Sequence, residues 1–502
     1  MTTQAADIIR HGWIYMAANI VSRAAGLLLL PLYAKVLNPA EFGVYALIVV
    51  ASDLVAVMLM IGMNNAFTVI HFEEDEMARR RRVISTAVLG LSGAGVGLLL
   101  VAWPAGWLLS LAMFGVADYA AVVALALGGV ALTALFELAL VVYRVQSRST
   151  VCLAISAAKA ALLLGLNLLF LLEFRLGVTG IFLANALAFA ALAGGLVHTI
   201  LATNGTVFEP VLMRRMVALG LPFLPQSLLD IANQFVMRWL INILMSTAAV
   251  GLFSFGMRLA QLLYMLLTSS FMQIWSVRRF EVRHEVGGAD ETELTFHLFQ
   301  ALLAGAALGM ALEGPEILWL IATPAYDPVL PCLPFLTAAF LLHGIRMHPE
   351  VALMKMRQVN VLPVISAISL AAGTALALAW VWRWGLLGAA AANFGREVVQ
   401  LVLTEWIRRH RCPDSIPLDG IRFARLFGLA AGAFTVGWLL FGDTATVLGA
   451  TVKLLLTAAF VFAALGPSER AFVARVPAVR PVLRLVLRLV LRLGLRLGPL
   501  GS

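Results

Sequence analysis

Six basic side chains fall inside long apolar stretches of the sequence: Arg23, Lys159, Arg238, Arg258, Arg346 and Arg396. The main acids in comparable positions are Asp53, Glu137, Asp230 and Glu397, so cations are in surplus. An ionised group in hydrocarbon surroundings costs at least a few kcal/mol unless it is paired or hydrated, so each of these residues marks either a functional site or an internal salt bridge. A surplus of buried cations suits an anionic ligand, and guanidinium groups suit a phosphate because their planar fork gives two parallel hydrogen bonds. Arg23 and Lys159 are the most central, where cavity lining competes with an internal ion pair. Arg238 and Arg258 sit nearer one end of their stretches and Arg346 nearer the other, where snorkelling to the interface competes with cavity lining. Arg396 adjoins Glu397, but neighbours on a helix point about 100° apart, so the two are expected not to neutralise each other simply. Asp53 and Asp230 are candidate proton or sodium sites, with the arginines as alternative partners.

Other chemistry is absent from the sequence. No phosphate-binding loop, His-Glu-x-x-His or Gly-x-Ser-x-Gly occurs, so neither nucleotide hydrolysis nor a familiar hydrolase is encoded, and no cofactor is expected. His343 and His348 are not at a metal-ligand spacing, and the three cysteines, Cys152, Cys332 and Cys412, imply neither a disulfide framework nor a metal site. The Gly93-x-Gly95-x-Gly97 run lies in an apolar stretch with no preceding strand and reads as close helix packing. Asn19, Asn64, Asn65, Asn185, Asn233, Gln234 and Gln261 are uncharged polar groups suited to sugar hydroxyls or to hydrogen bonds between helices.

These residues are carried by a chain that cannot be soluble. With 62% hydrophobic and 13% charged residues and a mean hydropathy of +0.95, it has too little polar surface to coat a globule. Taking about 20 apolar residues per crossing, fourteen spans are expected, near 11–34, 42–70, 83–111, 118–142, 151–172, 179–202, 217–244, 250–276, 294–322, 329–353, 361–382, 386–407, 423–441 and 446–465. The fold class is therefore an all-α polytopic membrane protein.

Alternate loops hold the basic residues: Arg79 to Arg82, Arg144 and Arg148, Arg214 and Arg215, Arg278, Arg279 and Arg283, Lys355 and Arg357, and Arg408, Arg409 and Arg411. By the positive-inside bias these loops face the cytoplasm, as do both termini. The net charge of +9 lies in these clusters, which excludes nucleic acid as a partner. The same orientation puts Cys332 at an outer helix end and Cys412 in an inner loop, so an impermeant maleimide is expected to reach Cys332 first. The tail spaces Arg484, Arg488, Arg492 and Arg496 four apart, as a stripe for anionic lipids or as low-complexity sequence without further role.

An internal repeat organises the spans. Gly177 to Asn185 and Gly385 to Asn393 share Gly-x-x-Gly-x4-Asn at an offset of 208 residues, and Gly43 meets Gly251 at the same offset. Gly12/Gly220, Gly97/Gly305, Gly106/Gly314 and Gly165/Gly373 also coincide, where random placement gives about one match. Six spans per half make a parallel repeat about an axis along the membrane normal, with a central cavity expected between the lobes. The expected domains are 1–208, 209–415, two additional spans over 416–465, and a basic tail over 466–502.

Residues 22 to 47 carry a family likeness. The helix ending Leu30-Pro31-Leu32-Tyr33, then Lys35, then Pro39-Ala40-Glu41-Phe42-Gly43, resembles the polysaccharide-export branch of the multidrug/oligosaccharidyl-lipid/polysaccharide exporter superfamily. Val250-Gly251-Leu252-Phe253-Ser254 with Arg258 is similar to that branch's Val-Gly-x-Tyr-Ser and basic residue. The resemblance implies twelve plus two spans and a non-enzymatic Wzx-type flippase, translocating a polyprenyl-diphosphate-linked oligosaccharide across the bacterial inner membrane for O-antigen, capsule or exopolysaccharide synthesis. Glycan polymerases and glycosyltransferases are the partners this would call for, acting with a monomer; independently of the resemblance, the intramembrane residues offer Arg23, Lys159, Arg238, Arg258 and Arg396 as substrate-binding cations and Asp53 and Asp230 as candidate ion-coupling sites. Ser22-Arg23-x-x-Gly26 also resembles lipid II flippases, but Leu29 and Leu30 stand where those usually have arginine and aspartate. Met237 before Arg238 departs from the acidic residue of many polysaccharide exporters. A cation-coupled drug antiporter would favour an acidic pocket, and a membrane glycan polymerase or ligase would need a large outer loop that the sequence lacks.

Overall fold

The computed structural model describes residues 26, 28–268, 271, 288–356, 358–412, 418–442, 445–466 and 469–470. Arg23, Arg278, Arg279, Arg283 and the tail arginines Arg484, Arg488, Arg492 and Arg496 lie outside them. The described secondary structure is helical, as the composition requires. A membrane span must satisfy its backbone polar groups internally, and a helix does so within one segment.

In chain order the helices are α1 (28–36), α2 (Pro39–Met60), α3 (Met63–Glu73), α4 (Met77–Phe114), α5 (Ala120–Val145), α6 (Ser149–Leu168), α7 (Gly177–Asn204), α8 (Pro210–Gly220), α9 (Leu224–Leu244), α10 (Thr247–Leu263), α11 (Gly288–Leu312), α12 (Gly314–Ile321), α13 (Leu333–Lys355), α14 (Leu362–Arg411), α15 (Gly420–Phe441) and α16 (Val447–Ala464). Among the described residues, ten helical segments are long and apolar enough to cross a membrane. One of them, α14, is two helices joined at Gly385, whose φ of 57° and ψ of −130° interrupt the helical path. The other expected spans appear as α1, α9 and α10. Three spans are broken where the sequence breaks them: at Ile61-Gly62, at Leu221-Pro222-Phe223, and at Glu313 before Gly314-Pro315.

The turn at Asn38-Pro39 is a helix start. The Asn38 side chain accepts from the Glu41 backbone N–H, the Glu41 carboxylate accepts from the Asn38 N–H, and Pro39 occupies the first turn, where no N–H is needed. Tyr33 is fixed from α1 by donating to Asn167 Oδ1 of α6 at 2.8 Å, while the Asn167 amide donates to Leu163 O. Of the Gly93-x-Gly95-x-Gly97 run, Gly95 packs against Ala131 of α5.

The chain divides into two compact units, Met1–Gly251 and Leu252–Ser502. In the first, Phe67, Ile70, Val88, Leu91, Phe136 and Val142 anchor a core drawn from α3, α4 and α5, with Phe189 of α7 joining it. The opening of the second sequence repeat, α8 and α9, packs on α3 and α2 of this unit. At the start of α2, Gly43 lies so close to α10 that a Cβ on it would stand 1.9 Å from Thr247 O and 3.1 Å from Gly251 N, so the two glycines paired by the 208-residue offset touch each other. The second unit has its own core, with Phe296, Phe299, Leu303, Leu342, Ile345 and Phe460 drawn from α11, α13 and α16. The additional helices α15 and α16 pack on α11 of this unit.

Candidate functional site

Among the described residues, charged side chains converge most densely where α13 meets the second half of α14. Arg346 of α13 forms a close ion pair with Glu350 one turn on, and its Nη2 lies 2.8 Å from His343 Nδ1 one turn back. From α14, Glu397 faces this group, with Oε2 3.6 Å from Arg346 Nε and Oε1 3.7 Å from His343 Nδ1. Arg396 forms a close ion pair with Glu397 Oε1 and donates to Gln400 Oε1 at 2.9 Å; Gln400 in turn reaches Ser366 Oγ at 3.5 Å. Two guanidiniums, two carboxylates and one imidazole thus share a cluster in which the Arg346 and Glu397 side chains are 8% and 6% exposed. Removing one partner from such a buried pair is costed at about 3–5 kcal/mol, because the other charge is stranded.

The cluster corrects two expectations. Arg396 and Glu397 do pair, although consecutive helical residues diverge, because the long arginine side chain carries its guanidinium round to the carboxylate. Arg346 is not snorkelling; it is 7% exposed and turned into the cluster. His343 and Glu350 carried no signal in the sequence beyond lying three residues before and four residues after Arg346, on one face of α13. Nothing but the fold could place Glu397, fifty-one residues on, against that face.

The remaining described candidates lie on other helices. Lys159 of α6 pairs with Glu137 of α5 at 3.6 Å and lies over the rings of Phe136 and Phe189, at 5.2 and 5.5 Å from their centroids. Arg238 of α9 is buried and donates to Gln234 O at 3.0 Å, and Arg258 of α10 is half-buried. Asp53 and Asp230 are both exposed, the latter accepting from the Gln226 amide at 2.9 Å. The 208-residue sequence offset relates positions at these two ion-paired sites. Glu137 of α5 and Ile345 of α13 are 208 residues apart, as are Phe189 of α7 and Glu397 of α14.

A further cavity of about 200 Å³ in the second unit is lined by His297, Asp419, Arg422 and Arg425. Its arginines are already engaged, Arg422 by Glu469 and Arg425 by Ala463 O. The cysteines overturn the labelling expectation: Cys332 and Cys412 are 1% and 0% exposed, so neither is open to an impermeant reagent. Burial also pushes the Cys412 thiol up against the opposing pull of Arg408 and Arg411, which keeps it from its reactive thiolate form.

Residues 32–286, just over half of the 502-residue chain, match the family described as polysaccharide biosynthesis protein. The chain belongs to this family. No curated protein sequence matches it. Among solved structures, the chain is similar to the lipid II flippase MurJ in an inward closed conformation, with a TM-score of 0.70 and 13% identity over 90% of this chain and 97% of that one. It is similar to an inward-facing multidrug resistance MATE family transporter of the MOP superfamily, with a TM-score of 0.64 and 13% identity over 79% of this chain and 96% of that one. A MOP superfamily transporter from Pyrococcus furiosus, described by the reverse polarity of its binding pocket, aligns with a TM-score of 0.57 and 14% identity over 81% of this chain and 95% of that one. At these identities the likeness establishes a shared fold.

Proposed function

We propose that the protein is a flippase that moves a polyprenyl-diphosphate-linked oligosaccharide from the inner to the outer leaflet of the bacterial cytoplasmic membrane, for O-antigen, capsule or exopolysaccharide synthesis. Membership of the polysaccharide biosynthesis family carries this reading, and the fold shared with a lipid II flippase and with MATE transporters agrees with it. The chemistry of the spans supports it independently. Arginines and a lysine set in apolar helices of both units match a diphosphate better than a cationic drug, and the fork geometry of Arg346, Arg396, Arg238 and Arg258 suits paired phosphate oxygens. Arg23 belongs to the same set by its position in the sequence, where Arg23→Lys keeps the charge but loses the fork.

In this reading both termini are cytoplasmic, the basic tail lies on anionic lipid, and the protein acts as a monomer that hands its cargo on to glycan polymerases. The two sequence halves work as lobes, 1–208 and 209–415. Two observations favour the duplication: Gly177 and Gly385 share a positive φ, 54° and 57°, and Gly43 packs on its own repeat partner Gly251. The test is to delete the gene and ask on which leaflet a lipid-linked oligosaccharide accumulates. Build-up on the inner leaflet is expected, restored by the wild-type gene; unchanged export, or build-up on the outer leaflet, would reject the flippase.

A further inference from the structure

The cavity where α11, α15 and α16 pack together has more polar capacity than its own contacts use. It lies between the first half of α11, the start of α15 and the end of α16, and at about 200 Å³ it is smaller than the roughly 300–1,000 Å³ of a drug-sized ligand site. That is the scale of a small headgroup. Gln300 of α11 lines the cavity and is 8% exposed, yet its amide makes no hydrogen bond among the described residues. Buried polar side chains are as a rule bonded, so an unbonded amide lining a polar cavity points to a ligand that bonds it.

Donors and acceptors share this lining. Arg422 pairs with Glu469, and Arg425 donates from Nη2 to Ala463 O at 3.1 Å. A guanidinium carries five N–H donors, so these contacts leave N–H groups over on both arginines, in the planar fork that suits phosphate oxygens. Asp419 uses Oδ1 to cap α15, accepting from the Ile421 and Arg422 N–H groups at 3.0 and 3.1 Å, which leaves Oδ2 as an acceptor in the same lining. His297 also lines the cavity and pairs with Glu293 and Glu469. The apolar lining includes Ile421 and Leu429, 85% and 37% exposed, as side chains of a membrane helix that meet lipid are. An ion-pair network built only to join the helices accounts for Arg422 and Glu469. It leaves Gln300, the second oxygen of Asp419 and the exposed isoleucine without a purpose.

We propose that this cavity binds the headgroup of a membrane aminophospholipid, a zwitterionic phosphoethanolamine ester. Arg422 and Arg425 donate to the phosphate oxygens, the primary ammonium donates to Asp419, Gln300 turns its amide to the phosphodiester, and the glycerol end of the lipid lies against Ile421. Basic pockets between membrane helices on the side of the positively charged loops favour phospholipid headgroups, and Arg408, Arg409 and Arg411 precede α15 on that side. The carboxylate selects the zwitterion. A phosphocholine headgroup has no N–H to donate to it, and an anionic phosphoglycerol brings hydroxyls where an ammonium forms a charged pair. A lipid seated here touches α11, α15 and α16 at once, so it holds the two additional helices on the second unit. The site lies on different helices from the α13–α14 cluster, and it does not depend on the diphosphate reading.

The experiment titrates the full-length protein in detergent with dioleoyl phosphatidylethanolamine, phosphatidylcholine and phosphatidylglycerol, and native mass spectrometry reads the dissociation constant of the first lipid bound. The wild type is expected to bind phosphatidylethanolamine most tightly. Arg425 is exposed, so Arg425→Gln leaves the packing intact, and it is expected to weaken phosphatidylethanolamine about tenfold, the loss of one charge-assisted bond. Asparagine caps a helix as aspartate does, so Asp419→Asn keeps the start of α15 and is expected to erase the preference for phosphatidylethanolamine over phosphatidylcholine. Gln300→Leu is expected to weaken the lipid while the lipid-free protein melts no lower; a lower melting temperature would make Gln300 structural and remove it from the site. Equal phosphatidylethanolamine affinity in the wild type and Arg425→Gln would overturn the site altogether. Phosphatidylglycerol bound as tightly as phosphatidylethanolamine would overturn the zwitterion in favour of an anionic lipid. Inorganic phosphate that displaces the lipid from the wild type would overturn the lipid in favour of a free anion. The wild-type order of the three lipids decides the headgroup even if a variant fails to fold.

Discussion

The described buried charges come with partners, and the consequences differ by residue. Lys453 of α16 is 1% exposed and donates to both carboxylate oxygens of Glu316 on α12, at 2.8 and 3.0 Å. A lysine confined this way, with its partner 16% exposed, holds one of the two additional helices to the second unit. Lys453→Ala should strand Glu316 and cost about 3–5 kcal/mol, whereas Lys453→Leu combined with Glu316→Gln should cost much less, because no charge is left unpaired. Thermal melting of the purified variants in detergent measures the difference; equal losses would mean that the pair contributes packing and not charge. A milder case is Tyr33, whose hydroxyl is one of the two polar groups shown bonding the buried Asn167 side chain. Tyr33→Phe leaves the Asn167 carbonyl oxygen without that donor and should lower stability by about 1–3 kcal/mol, read by the same melt.

At the scale of helices, the breaks matter as much as the spans. The glycine at 385 holds φ 57° and ψ −130°, a region that a side chain makes expensive, so Gly385→Ala should destabilise by about 1–3 kcal/mol and blur the joint between the two halves of α14. Gly43→Ala should be worse, because a Cβ there would stand 1.9 Å from the Thr247 carbonyl oxygen, and two backbones must separate to admit it. Gly97→Ala is the control: it lies inside α4 with nothing within 4 Å of the added carbon. Protein recovered in the membrane should fall for Gly43→Ala, fall less for Gly385→Ala and hold for Gly97→Ala; equal recovery of all three would remove the case for a tight crossing at Gly43. The helices and their ends were legible in the sequence because hydropathy, Pro39 and the glycines act locally. The cluster was not. Arg346 and Glu397 are distant in sequence, and only the packing of α13 on α14 brings His343, Glu350 and Glu397 to one guanidinium. The error over Arg396 had the same origin, since backbone direction was read where side-chain reach decides.

For the whole molecule, the proposed direction of transport depends on orientation in the membrane. The native cysteines cannot report it, because Cys332 and Cys412 are buried from either side and Cys152 is 1% exposed. They can instead be removed, and single cysteines placed where the fold exposes side chains. Val116, between α4 and α5, is 44% exposed, and Met77, at the start of α4 beside Arg79 to Arg82, is 63% exposed. The two sites lie at opposite ends of the 38-residue helix α4, longer than the roughly 20 residues that cross a bilayer core, so they must report opposite faces of the membrane. The basic run at the Met77 end assigns that face to the cytoplasm. In intact cells whose outer barrier has been opened, an impermeant maleimide should therefore label Val116→Cys and spare Met77→Cys, and permeabilising the inner membrane should make both react. Labelling of Met77→Cys alone would invert the topology, and with it the direction in which this fold would move a lipid-linked sugar. Labelling of both in intact cells would mean that α4 does not span, and would break the correspondence between the helices and the bilayer on which the membrane reading depends.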